Sequence, residues 1–124
     1  MEVSTIMLRQ VHPSFMDGEE PTSQAFVPFP KDKDKLSVDD GTKTSPEAAY
    51  THYTTVLKLS STGVWGISET DVVSTGLTSG PDPLPDNPAH ALIDFMGLSG
   101  KEQRKKAKLL LAFALERGCL HKAA

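Results

Sequence analysis

Residues 89–95, AHALIDF, and residues 99–118, SGKEQRKKAKLLLAFALERG, carry the clearest structural signals in the chain. In the first stretch every second residue from Ala89 to Phe95 is apolar, and this alternation predicts a half-buried β-strand. The second stretch opens with a Ser-x-x-Glu capping box and closes on a glycine, so it predicts a helix running from Ser99 to Gly118. One stripe of this helix faces the core and consists of Gln103, Ala107, Leu110, Leu111 and Ala114.

Upstream, β-branched and apolar residues on both faces of Val3–Val11 predict a buried central strand. A second short strand is predicted at Ser23–Val27, where Pro28 closes it, and a minimal third strand at Leu36–Val38. Residues Gly63–Ile67 predict a further strand.

Ser45-Pro46-Glu47 has the residue types of a helix start and predicts a helix to about Lys58, with a core stripe of Ala49, Tyr53, Val56 and Leu57. A capping sequence at Ser68 predicts a two-turn helix that Gly76 ends.

This order of elements predicts a mixed α/β or α+β fold, with a single sheet of about five strands, two main helices and one short helix. The length of 124 residues suits one globular domain over 1–124. Residues 78–88 contain four prolines and predict an ordered surface loop. Residues 121–124 are expected to form a flexible tail.

Composition indicates a reducing compartment, because the single Cys119 has no partner for an internal disulfide. The first twenty residues lack the features of a secretory signal, and no apolar run approaches the roughly 18 residues that span a bilayer. We therefore expect a soluble cytoplasmic protein with no membrane contact, either monomeric or weakly homodimeric through Leu109 and Phe113.

The first half of the C-terminal helix is basic. Lys101, Arg104, Lys105 and Lys108 share an arc of about 100° that points away from the core stripe. This stripe predicts either an anion or nucleic-acid contact or simply a solvated helix face. The chain as a whole has a formal charge of −3, so nucleic acid is not expected as its main partner.

Polar residues cluster where the first strand ends, at Arg9, Gln10 and His12. If the first two strands pair, these residues would lie near Ser23 and Gln24, and His90 opens the strand before the last helix. Arg9, His12, Ser23, Gln24 and His90 are thus the candidate ligand-binding residues, able to hold a phosphate, ribose or carboxamide.

His90 is also a candidate general base, since an imidazole titrates close to neutral pH. The alternative is that it bonds a loop carbonyl of the adjacent Asn87-Pro88 turn. Neither metal spacing nor a nucleotide or hydrolase motif is present, so no metal, cofactor or catalytic residue is predicted.

Several short motifs resemble those of a family of small bacterial proteins for which no activity is known. They are Arg9-Gln-Val-His-Pro13, Thr22-Ser-Gln-Ala-Phe26 with Pro28 and Pro30-Lys-Asp32, Leu36-Ser-Val38, and Pro88-Ala-His-Ala91 with Ile93-Asp94. The resemblance spans most of the chain and implies a bacterial, stand-alone domain.

Leu8-Arg9 and Thr22-Ser23 also resemble the early strands of ADP-ribosyltransferase-type folds. This resemblance would imply a nucleotide-like ligand. The chain has no Glu-x-Glu or Gln-x-Glu element, so the catalytic acid of that family has no counterpart here.

These observations lead to three hypotheses of function. The first is a bacterial, cytoplasmic protein-binding module without catalytic activity. The alternative is nucleotide-like ligand binding or an ADP-ribosyltransferase-like enzyme, and the third hypothesis is weak nucleic-acid binding through the basic helix.

Overall fold

One antiparallel sheet of six strands organises the fold, with the strands in the spatial order Thr78–Pro81, His90–Asp94, Lys35–Asp40, Ile6–Gln10, Gly63–Ser68 and Cys119–Lys122. The computed structural model describes residues 5–29 and 33–123. The strands are β1 (Ile6–Gln10), β2 (Met16–Asp17), β3 (Glu20–Pro21), β4 (Lys35–Asp40), β5 (Gly63–Ser68), β6 (Thr78–Pro81), β7 (His90–Asp94) and β8 (Cys119–Lys122). Strands β2 and β3 form a separate two-stranded hairpin.

Three α-helices accompany the sheet: α1 (Pro46–Thr51), α2 (Glu69–Ser74) and α3 (Gly100–Arg117). The α+β class predicted from the sequence is therefore confirmed. The caps of α3 are also as predicted: Ser99 and Glu102 form a capping box, and Gly118 ends the helix with a positive φ of 89°.

The α3 helix covers one face of the sheet, which we call the α3 face. Apolar side chains of α3 and of the sheet pack together on this face, and several are completely buried, among them Met7, Ile67, Ile93, Phe95 and Leu110. Burying a side chain of this size contributes ~1.5–3 kcal/mol to folding, so this layer is the main core.

The other face, which we call the α1 face, has a smaller cluster in which Ala49 of α1 packs on Leu8 and Val64. Because α1 lies over β1, β5 and β8, it leaves the side of this face formed by β4 and β7 without a helix. The functional site described below lies on that side.

The chain after α1 differs from the prediction. Its start is as predicted, with Ser45 as N-cap, but a π-helical turn follows at His52–Val56. The wider turn shifts the phase of the side chains, and Val56, which was predicted to face the core, is 61% exposed.

Three further predictions require correction. Ser23–Val27 is not a strand, since Ser23–Phe26 forms a 3₁₀ helix that buries Ala25 and Phe26 in the α3-face core. Part of the predicted 78–88 loop is strand β6, because the outer side of β7 takes a pairing partner. Residues 121 and 122 of the expected tail belong to β8, which pairs with the edge of β5.

The first strand is central, as predicted, and its described part begins at Ile6. Val3, Pro30, Lys31, Asp32 and Ala124, which belong to predicted elements or motifs, lie outside the described residues.

Candidate functional site

A cleft of about 550 Å³ opens on the α1 face of the sheet. Its floor is formed by residues of β1, β4 and β7, one wall by the π-helical turn and the residues after it, and the opposite wall by the loop at Leu84–Asn87. The volume falls within the range of pockets that enclose a small organic molecule.

The cleft exists because β1 and β4 pair over a very short distance. Among the described residues only Met7↔Asp40 and Leu8↔Asp39 are in register, and the Gly41 N–H donates to the Ile6 carbonyl next to them. In contrast, β1 pairs with β5 over five residues. Beyond Leu8 the side chain of Arg9 bridges the two strands and donates from Nη1 to the Ser37 carbonyl at 2.9 Å. Its Nε donates to the carbonyl of Ala25 at 2.8 Å.

Arg9 was predicted to bind ligand, and it does line the cleft. However, the two hydrogen bonds above fix its guanidinium to the main chain of two neighbouring segments. These bonds give Arg9 a structural role at the point where the sheet separates.

One row of side chains crosses the floor of the cleft. Leu8 is opposite Asp39 on β4, and Asp39 is opposite His90 on β7. Asp82 follows β6 at the same level, where its N–H donates to the His90 carbonyl at 2.9 Å. A hydrogen bond of 2.8 Å from Asn87 Nδ2 fixes Oδ1 of Asp39.

The ring of His90 is oriented by Asp82. Its Nδ1 lies 3.0 Å from the main-chain oxygen and 3.1 Å from Oδ2 of Asp82. Both of these oxygens can only accept, so Nδ1 carries a proton. When the ring is neutral, Nε2 is therefore an acceptor. The ring therefore bonds a loop carbonyl, but that carbonyl belongs to Asp82 and not to the Asn87-Pro88 turn.

Gln10 is buried in the cleft wall with its amide only partly satisfied. The residue is 8% exposed, and its Oε1 accepts from the Ser61 hydroxyl at 2.8 Å. Its Nε2 is buried and has no hydrogen-bond partner among the described residues. Rotating the amide by 180° exchanges the two atoms and leaves Oε1 unpaired instead, so one atom lacks a partner in either orientation.

His52 presents the second buried atom of this kind. It is the first residue of the π-helical turn, and its Nε2 has no hydrogen-bond partner among the described residues. Gln10 and His52 both line the cleft. A buried donor or acceptor without a partner destabilises the folded state by about 1–3 kcal/mol. Two such atoms on residues of one cleft are therefore unusual in a native structure.

The rest of the wall is mostly apolar. Phe15, Tyr53, Leu57 and Leu84 contribute to it. His12 lies at the end of β1, where its Nδ1 accepts from the Ser14 N–H at 3.0 Å and caps a short 3₁₀ helix. Apolar walls with a few polar groups are typical of ligand pockets.

The predicted ligand-binding residues are thus divided between two faces. Arg9, His12 and His90 line the cleft. Ser23 and Gln24 lie on the 3₁₀ helix that packs against α3, on the opposite face of the sheet, because the segment forms no strand beside β1.

The predicted basic stripe is a solvent-facing surface. Lys101, Arg104, Lys105 and Lys108 are all exposed. The hydrogen bonds from Ser99 lower the pKa of Glu102, with a smaller effect of Lys106 and Lys105.

Within residues 5–29 and 33–123 no group of three or more His, Cys, Asp or Glu side chains is placed to hold a metal ion. Over the same residues no helix is both long and apolar enough to cross a membrane.

Comparisons of the chain with protein-family models, curated proteins and solved structures gave no match. The site is therefore interpreted from its own geometry.

Sequence reasoning missed His52, Asp39 and Asn87. His52 lies outside the predicted core stripe of its helix. This position was the only indication in the sequence that its side chain is available for another role. Asp39 looked like part of a turn, although the alternation of Lys35–Asp40 extends the strand through it.

Proposed function

We propose that the protein binds a small organic molecule in the cleft on the α1 face, and that Gln10 and His52 recognise it. The observation that carries this proposal is the pair of buried nitrogens, Gln10 Nε2 and His52 Nε2, that line one cleft without hydrogen-bond partners among the described residues. A ligand that supplied those partners would remove the cost of the two unsatisfied groups.

The composition of the cleft favours a ligand with an apolar body and a few polar groups. Apolar side chains from Phe15, Tyr53, Leu57 and Leu84 would bury the body, while the polar floor would fix its orientation. This is the ligand-binding alternative of the sequence analysis, with Gln10 and His52 in place of Ser23 and Gln24.

The protein-binding module and the nucleic-acid hypothesis remain predictions. The exposed large apolar residues are distributed over several segments, for example Val56, Val73, Met96 and Leu109. Single exposed apolar residues are normal on protein surfaces, so they do not favour a protein partner over the cleft. The proposed setting is a bacterial cytoplasm, and the proposed state is a monomer or weak homodimer. The free thiol of Cys119 supports a reducing compartment.

The test is a screen of the full chain against a library of small metabolites, followed by ¹H–¹⁵N correlation spectra. We expect a ligand that raises the melting temperature and shifts the amide signals of the cleft residues. Gln10→Leu should weaken binding of this ligand by about tenfold or more, because the substitution removes the amide N–H that would donate to it.

Gln24→Leu is the matched control, because Gln24 is an exposed glutamine on the opposite face. It should leave binding unchanged. Equal weakening of binding by the two substitutions would contradict the proposal. It would also be contradicted if no compound of the library shifted the amide signals of the cleft residues.

A further inference from the structure

We propose that the ligand of this cleft is a small organic cation whose primary ammonium group is held between Asp39 and His90. The inference rests on the proposed small-molecule function and adds the chemical class of the ligand. It is supported by the acceptors on the floor, by the charge around them, and by the unpaired amide of Gln10.

The floor offers two acceptors side by side. Asp39 and His90 are directly opposite on antiparallel strands, and in such pairs the Cβ atoms are roughly 4.5–5.5 Å apart. Asn87 occupies Oδ1 of Asp39, which leaves Oδ2 for a ligand. Asp82 holds a proton of His90 on Nδ1, so Nε2 of the neutral ring is the second acceptor that the proposal uses. An ammonium group has three N–H donors and can serve both atoms at once.

The charge at this end of the cleft also favours a cation. The carboxylate of Asp86 lines the cleft beside Asn87, and that of Asp82 lies behind the His90 ring. Lys35 lies four residues before Asp39 on the same strand, so the two Cα atoms are about 13 Å apart at ~3.3 Å per residue. The positive charge of Lys35 is therefore anchored well away from Asp39. Arg9 also lines the cleft and keeps its positive charge, but its Nε and Nη1 are directed to the carbonyls of Ala25 and Ser37. A phosphate or carboxylate placed at Asp39 would therefore meet carboxylates at close range.

Gln10 supplies an independent indication of a ligand. It is 8% exposed, lines the same cleft, and its Nε2 has no partner among the described residues. Gln10 is two residues beyond Leu8 on β1, so its Cα lies about 7 Å along the strand from the Asp39 row. The ligand thus combines an ammonium group with a hydrogen-bond acceptor, such as a carbonyl oxygen, joined by an apolar body.

The experiment uses three probes that share one body and differ in the charge of the head: 2-phenylethylamine, 2-phenylethanol and phenylacetate. Each is titrated into the ¹⁵N-labelled full chain while amide and imidazole signals are recorded. Only the amine should shift the amide signals of Asp39 and His90 and the Nε2 signal of His90. Asp39→Asn keeps the acceptor for Asn87 but removes the charge, and it should weaken amine binding by about tenfold.

Asp17→Asn is the matched control, since it removes the same charge from an exposed position in the β2–β3 hairpin. It should leave the affinity unchanged. The inference is overturned if the alcohol or phenylacetate binds as well as the amine, if no probe shifts the cleft signals, or if His90 carries its proton on Nε2. The metabolite library tests the proposed function separately. A neutral or anionic ligand found there would contradict the proposal that the ligand is an amine, but it would support the proposal that the cleft binds a small molecule.

Discussion

Gln10 and Gln103 are both buried, yet only one of them satisfies its amide N–H groups. Nε2 of Gln103 lies 3.0 Å from Oδ1 of Asp34 and 3.3 Å from the Leu98 carbonyl. Nε2 of Gln10 has no such partner among the described residues. Comparing the stability of variants at the two glutamines therefore tests whether the Gln10 amide contributes to folding or to binding.

We expect Gln103→Leu to lower the free energy of unfolding by about 1–3 kcal/mol, because Oδ1 of Asp34 and the Leu98 carbonyl lose their donor. For Gln10→Leu the free energy of unfolding should stay within about 0.5 kcal/mol of the wild-type value or rise above it. The reason is that the Ser61 hydroxyl can still donate to the Gly63 carbonyl at 3.0 Å. Chemical denaturation of both variants gives the comparison. A larger loss for Gln10→Leu than for Gln103→Leu would mean that the Gln10 amide serves folding.

At the scale of the residues, the sequence located part of the site. His12 and His90 were found because polar residues at strand ends and on a mixed strand face are visible in the pattern. Gln10 and His52 could not be ranked in the same way, since an unsatisfied hydrogen bond depends on what surrounds the atom in three dimensions.

At the scale of the elements, local signals predicted the helices well and the strand partners poorly. The caps of α2 and α3 depend on residues three positions apart, so they are readable from the sequence. Ser23–Phe26 has the composition of a strand, but the burial of Phe26 against α3 determines its conformation. The pairing of β6 and β8 likewise depends on which sheet edges the rest of the chain leaves open.

The edge strands provide a test of this packing through two glycines. A Cβ on Gly63 would lie 2.7 Å from the His121 carbonyl oxygen of β8, whereas a Cβ on Gly80 in β6 meets nothing within 4 Å. Gly63→Ala should therefore detach β8 and destabilise the fold by ~1–3 kcal/mol, and Gly80→Ala should be neutral or stabilising by up to ~1 kcal/mol. Denaturation and hydrogen exchange of residues 119–122 measure both effects, and equal stability of the two variants would argue against the β5–β8 pairing.

The capping box of α3 makes a pH-dependent contribution. Hydrogen bonds from Ser99 lower the pKa of Glu102 below its usual value, so the contribution is complete above the ordinary range of a glutamate carboxyl. It is lost as the pH falls through the lowered pKa of the folded state. The advantage of the wild type over Glu102→Gln in melting temperature should therefore be largest near neutral pH and disappear in acid. An advantage that grew as the pH fell would contradict this assignment.

At the scale of the whole molecule, charge is distributed unevenly. Lys101–Lys108 carries five positive side chains against Glu102, or +4, so the remainder carries −7 within a total of −3. The positive residues Lys101, Arg104, Lys105 and Lys108 are exposed on α3, on the sheet face opposite the cleft. Any ligand of the cleft is therefore recognised independently of this stripe.

Lys105→Glu combined with Lys108→Glu tests what the stripe does. Both residues are exposed, so the free energy of unfolding should change by no more than about 0.5 kcal/mol. Binding of the amine probe in the cleft should also be unchanged. Retention of a short DNA duplex by the wild type at ~0.15 M salt, and its loss in the double variant, would instead support the nucleic-acid hypothesis.

The two-pair junction between β1 and β4 has a mechanical consequence. On one side β4, β7 and β6 form a three-stranded unit, and on the other side β1, β5 and β8 form a second one. Main-chain pairing at Met7 and Leu8 and the guanidinium of Arg9 join these halves within the sheet. Under tension applied across the strands, the sheet would therefore yield along its midline, between β1 and β4.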